Sequence, residues 1–96
     1  MEAIRIISSG KAFIRPILEA ALENEQRTVE AGIIKTRERL AGFEARYNMS
    51  TQAFIESYEA AGLPETLDFI EWIGEHRLLN RLSEHAEAIQ SVEIEQ

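Results

Sequence analysis

The chain has 96 residues and no cysteine, which bounds it to one domain without disulfides or thiolate metal sites. Apolar content of 45% with 28% charge is ordinary for a globular domain, and no apolar run approaches the ~20 residues that span a bilayer. Net charge is −7 and lopsided: residues 1–47 hold eight basic and seven acidic side chains, residues 48–96 two and ten.

In chain order, Ala3-Ile4-Arg5-Ile6-Ile7 is β-branched and apolar before Ser8-Ser9-Gly10 breaks it. It reads as a short strand or a leader, with residues 1–15 set apart from a helical core over 16–90 and a tail over 91–96. The N-terminus lacks the basic segment and long apolar core of a secretory signal, so a cytoplasmic place is expected.

Pro16 suits a first helical turn, where its missing N–H has no partner to lose. From there Leu18, Leu22, Val29, Ile33, Thr36, Leu40, Phe43 and Tyr47 fall on one stripe, interrupted only by Glu25. Their spacing is the α-helical repeat and keeps phase across Gly32, which predicts one helix over 16–47. Gly32 costs about 1 kcal/mol in propensity, so another helix is expected to approach there. Asn48 can take the left-handed conformation that ends the helix, and Ser50 or Thr51 can cap the next.

A short helix over 51–61 turns Phe54, Ile55, Tyr58 and Ala61 inward, and Ala61-Gly62-Leu63-Pro64 stops it. A second long helix is predicted over 65–90. On it Phe69, Trp72, His76 and Leu79 share a core face, while Asp68, Glu71 and Glu75 step along a neighbouring face that Leu78, Leu82 and Ile89 continue. Val92-Glu93-Ile94-Glu95 alternates like a short strand. The expected fold is therefore all-α, a hairpin of two long helices with a short one between them and short strands at the termini. Leu22, Val29, Ile33, Leu40, Phe43, Phe54, Trp72 and Leu79 form the expected core.

Motifs for catalysis are missing, and the chain is not expected to be an enzyme or to hold a cofactor. The residues three before His76 and His85 are Ile73 and Leu82, so the Glu-x-x-His pairs of di-iron bundles are absent. The two histidines lie half a helical rotation out of phase and cannot share a metal within one helix. His76 reads as a half-buried histidine with one hydrogen-bond partner. Lys35, Arg39 and Arg46 form a basic ridge whose expected role is a solvated face or a salt-bridge partner for the acidic ridge.

Phe43-Glu44-x-x-Tyr47-x-Met49-Ser50-x-x-x-Phe54 and Asp68-Phe69-x-Glu71-Trp72-x-x-Glu75 resemble a pattern in small helical bacterial and archaeal proteins. Some of these are encoded beside small toxins in two-gene cassettes and treated as their antitoxins. The resemblance spans roughly residues 16–90 and implies a toxin-neutralising partner.

Independently, the ridge of Asp68, Glu71 and Glu75 running into Leu78, Leu82 and Ile89 is the expected contact surface for a small basic protein. Leu78, Leu82 and Ile89 lie off the core face and need cover, which also predicts a homodimer through the long helices. A structural or regulatory homodimer without a toxin is the first alternative. The second is a DNA-binding repressor of ribbon-helix-helix type, because a strand, a helix, a turn and a helix follow in that order. Nucleic acid is not the expected partner, since binding phosphates calls for a basic face and only Arg5 could read bases from the strand.

Overall fold

The computed structural model describes residues 4–7, 14–60 and 62–95. The element order is β1 (Ile4–Ile7), α1 (Ile14–Tyr47), α2 (Thr51–Glu59), α3 (Leu67–Gln90) and β2 (Val92–Glu95). The body is helical, long then short then long. Ion pairs from Arg39 to Glu75 and from Arg46 to Asp68 show that α1 and α3 run antiparallel. The molecule is elongated, 59 × 22 × 17 Å. Beside the helix ends β1 and β2 pair in parallel, Ile4 opposite Val92 through Ile7 opposite Glu95. Of the expected leader or strand over residues 1–15, residues 4–7 form β1 and α1 already takes in Ile14 and Arg15, two residues before the expected start at 16, while residues 1–3 and 8–13, like the inward place of Ala61, lie outside the described residues.

Local chemistry sets the helix ends. Helix α1 begins at Ile14, so Pro16 sits in its first turn. At its end Asn48 takes φ 50° and the Met49 N–H bonds the Glu44 carbonyl at 3.2 Å, a Schellman turn built on asparagine. Ser50 then caps α2, its side chain accepting from the Ala53 N–H. The Glu44 carboxylate accepts the Thr51 N–H at 2.8 Å and ties the end of α1 to the start of α2. Helix α3 starts at Leu67 and not at 65, because the extended Thr66 accepts the Phe69 N–H through its own hydroxyl. Gly62 closes α2 with an N–H bond to the Ser57 carbonyl.

The core sits at the end where α2 folds back over the hairpin. Trp72 is fully buried between Phe54 and Phe43, with ring centroids 3.9 and 5.6 Å away and nearly parallel planes. Its indole N–H donates to Thr51 Oγ1 at 3.0 Å, so the one polar atom carried into the core is satisfied. Leu40 and Ile73 complete the cluster, rimmed by Tyr47, Tyr58, Leu63, Phe69 and Leu79. Val29 and Thr36 are buried further along α1.

Leu22, Ile33 and Leu79, expected in the core, are only half-buried. Helix α2 gives the molecule a third layer at one end alone. Along the rest, two helices cover each other on one side each and leave the flanks of the stripe open. Ile73 is buried although it lies off the Phe69–Trp72–His76 face, because α2 packs on that flank with Ile55 and Tyr58 at hand.

Candidate functional site

The acidic ridge of α3 faces the basic ridge of α1 across the hairpin. Arg46 Nη1 stands 2.8 Å from Asp68 Oδ2, and the Tyr47 hydroxyl donates to the same oxygen. The Tyr47 hydrogen bond first, then the Arg46 hydrogen bond, holds the Asp68 carboxyl below its usual range. Each donor's own hydrogen bond to Asp68 in turn raises the Tyr47 hydroxyl and the Arg46 guanidinium. Two turns further along α3, Arg39 Nη1 meets Glu75 Oε1 at 3.3 Å. Both arginines are more than half exposed, so these pairs are screened by salt and fix geometry more than stability.

The six residues expected to contact a partner therefore separate. Asp68 and Glu75 are engaged within the chain. Leu82 lies against α1, its Cδ1 3.2 Å from where a Cβ on Gly32 would stand. That places the expected close approach at Gly32, and it corrects the reading of Leu82 as a side chain lacking cover. Leu78 and Ile89 are half-buried. Glu71 is exposed and forms no ion pair among the described residues.

Arg39, Gly42, Phe43 and Arg46 of α1, with Glu71 and Glu75 of α3, line an open groove between the two helices. The Arg46 guanidinium carbon sits 5.5 Å from the Phe43 ring centroid, a cation–π distance. Glu75 Oε2 is shielded from solvent and has no hydrogen-bond partner among the described residues. A Cβ on Gly42 would meet nothing within 4 Å, so the groove is open at that point. Arg46 already covers the outer side of the buried Phe43 ring, so what the groove can offer a cationic side chain is the carboxylate capacity of Glu71 and Glu75.

Two large apolar residues the sequence reading passed over are strongly exposed on α3, Leu67 at 81% and Ile70 at 51%. The signal was available, since Leu67, Ile70, Gly74 and Leu78 follow one another at steps of three and four. On α1, Ile17 and Ile34 are exposed as well.

The histidines stay apart. His76 is half-buried with its Nε2 3.4 Å from Asn80 Nδ2, and His85 Nε2 stands 3.9 Å from Glu25 on α1. Among the described residues no group of three or more His, Asp or Glu side chains is placed to hold a metal ion. None of the described helices is long and apolar enough to cross a membrane. One edge of β1 is taken by β2 of its own chain, whereas a ribbon-helix-helix repressor would pair β1 with its counterpart in a second copy. Compared with protein-family models, curated proteins and solved structures, the chain matches none.

Proposed function

We propose that the chain is an antitoxin-like binding module that neutralises a small basic protein at the groove between α1 and α3. The observation that carries this reading is the pair of under-used carboxylates on one groove wall: among the described residues Glu71 is exposed without an ion-pair partner and Glu75 has one oxygen unpartnered. The net charge of −7 and the resemblance of the aromatic and capping segments to antitoxin-like proteins point the same way.

A lysine or arginine of the partner enters over Gly42, where the groove is open, and takes Glu71. The exposed Arg39 gives up its share of Glu75 at little cost, and the carboxylate turns about its soft terminal torsion to accept a second donor. Leu78, half-buried two turns beyond Glu71 on nearly the same side of α3, supplies apolar contact. Asp68 remains in its bond to Tyr47 and adds only to the local field, and Leu82 keeps its internal role. Ile89 lies at the far end of α3 and extends the surface for a partner long enough to reach it. A regulatory homodimer without a toxin is the second reading, favoured by the exposed Leu67 and Ile70.

The test is co-purification of the tagged protein from its host, followed by association kinetics with the captured protein at low and high salt. The expected partner is small and basic, and Glu71→Lys with Glu75→Lys slows its association about tenfold or more while flattening the salt dependence. An association rate untouched by the double charge reversal would reduce the groove to a solvated face and overturn the assignment.

A further inference from the structure

We infer that Tyr47 and Asp68 are positioning residues: they hold Arg46 off Glu71 and so keep the spare negative charge of the groove at its open middle. The inference rests on the groove reading for its use, while its geometry stands by itself.

The two ion pairs set the register of the hairpin. Arg46 is level with Asp68 and Arg39 with Glu75, so Glu71 falls level with Gly42 and Phe43, between the two arginines. Each arginine stands about one turn from Glu71 along the axis, within reach of its side chain, and both line the same groove. The next base of the ridge, Lys35, is level with Leu79, about 12 Å along the axis from Glu71 and out of reach.

Asp68, Glu71 and Glu75 therefore share two arginines, and one carboxylate is left over. Which one it is depends on where Arg46 settles. If Arg46 swung to Glu71, the spare charge would move to Asp68, a turn away from the gap that Gly42 leaves. Arg39 has no such influence. It is held by one contact of 3.3 Å, and whether it takes Glu75 or Glu71 the spare charge stays in the groove.

Several features keep Arg46 on Asp68. The Tyr47 hydroxyl donates to the same Oδ2 that Arg46 Nη1 approaches at 2.8 Å, which orients the carboxylate and favours its charged form. The core holds the Tyr47 ring in turn, edge-on to Phe69 with centroids 5.2 Å apart and stacked on Trp72 at 5.8 Å, so the hydroxyl stands at a set place. Arg46 belongs to the last turn of α1 and Asp68 to the first turn of α3, where the helix dipoles favour a base and an acid. Glu71, a turn further in, has neither advantage. Toward a partner Asp68 adds only its field; its part is played on Arg46.

The experiment follows Arg46 and Glu71 together in the full chain. Glu71→Gln is made in the wild type, in Tyr47→Phe and in Asp68→Asn, and the Arg46 Nε–Hε resonance is read by NMR. Its shift on Glu71→Gln should be several-fold larger in Asp68→Asn than in the wild type, with Tyr47→Phe between them. Tyr47→Phe keeps the packed ring, and near-UV circular dichroism of Trp72 checks that both variants are folded. Affinity for a lysine homopeptide at low salt is the second readout. Glu71→Gln should weaken it about two- to fivefold in the wild type, the range of an exposed charge pair, and hardly at all in Asp68→Asn. Adding Arg46→Gln to Asp68→Asn should restore that cost, which a purely structural effect of Asp68 does not do. An Arg46 shift in either variant no larger than in the wild type, or a Glu71→Gln cost that persists in full in Asp68→Asn, would overturn the inference. A peptide that ignores Glu71→Gln in the wild type would overturn the groove reading instead, and the Arg46 resonance then decides the positioning.

Discussion

Leu82 lies over Gly32, with its Cδ1 3.2 Å from the position a Cβ would take there. This contact fixes how closely α3 approaches α1 beyond the reach of α2, in the half of the molecule where no third helix helps. Two consequences are measurable. Leu82→Ala should destabilise the chain by about 1–3 kcal/mol, through lost burial and the gap left against α1. Gly32→Leu should cost a similar amount by overpacking. Urea unfolding followed by circular dichroism checks both, and a neutral Leu82→Ala would return Leu82 to the set of residues free for a partner.

The stacked aromatics should dominate stability. Phe54→Ala and Trp72→Ala are each expected to cost about 3–5 kcal/mol, and Leu40→Ala about 2–5 kcal/mol. Thr51→Val keeps the shape but leaves the buried Trp72 N–H without its acceptor, for a loss of about 1–3 kcal/mol. Trp72 is the chain's only tryptophan, so its fluorescence reports these unfolding transitions directly.

Asp68 should make stability fall in acid. Its folded pKa lies below the ordinary 3.8, held there by the Tyr47 and Arg46 hydrogen bonds. A depressed carboxyl contributes stability that is fully present above its unfolded pKa and lost as pH falls through the folded value. The stability gap between wild type and Asp68→Asn should therefore be flat from pH 5 to 8 and shrink as pH drops below 3.8. Thermal melts of both proteins at pH 7, 5, 4 and 3 test this. A gap that persists at pH 3 would mean that the hydroxyl contact, and not the charge, holds the helices.

Gly42→Ala should raise stability by about 0.5–1 kcal/mol, because the helix gains a better former and the new methyl enters open space. If the groove binds a basic side chain, the same substitution should weaken partner binding while the melting temperature rises. Differential scanning calorimetry paired with binding kinetics reads both signs in one variant.

The sequence by itself determined the helices, their caps and the stripe of α1. These are local matters of period, propensity and capping chemistry, so Asn48, Ser50 and the phase from Leu18 to Tyr47 could be read before any packing was known. Trp72 could be placed in the core and Arg39 and Arg46 offered to the acidic ridge on the same grounds. Periodicity, however, assigns a residue to a face without saying how many neighbours will cover that face. Only the tertiary structure decided that α2 covers one end of the hairpin, which buried Ile73 and left Leu22, Ile33 and Leu79 half open. It also decided which of six candidate contact residues stay available, since Asp68, Glu75 and Leu82 met partners more than twenty residues away in the chain. And it separated two kinds of helical glycine that look alike in sequence: Gly32, held against Leu82, and Gly74, facing solvent.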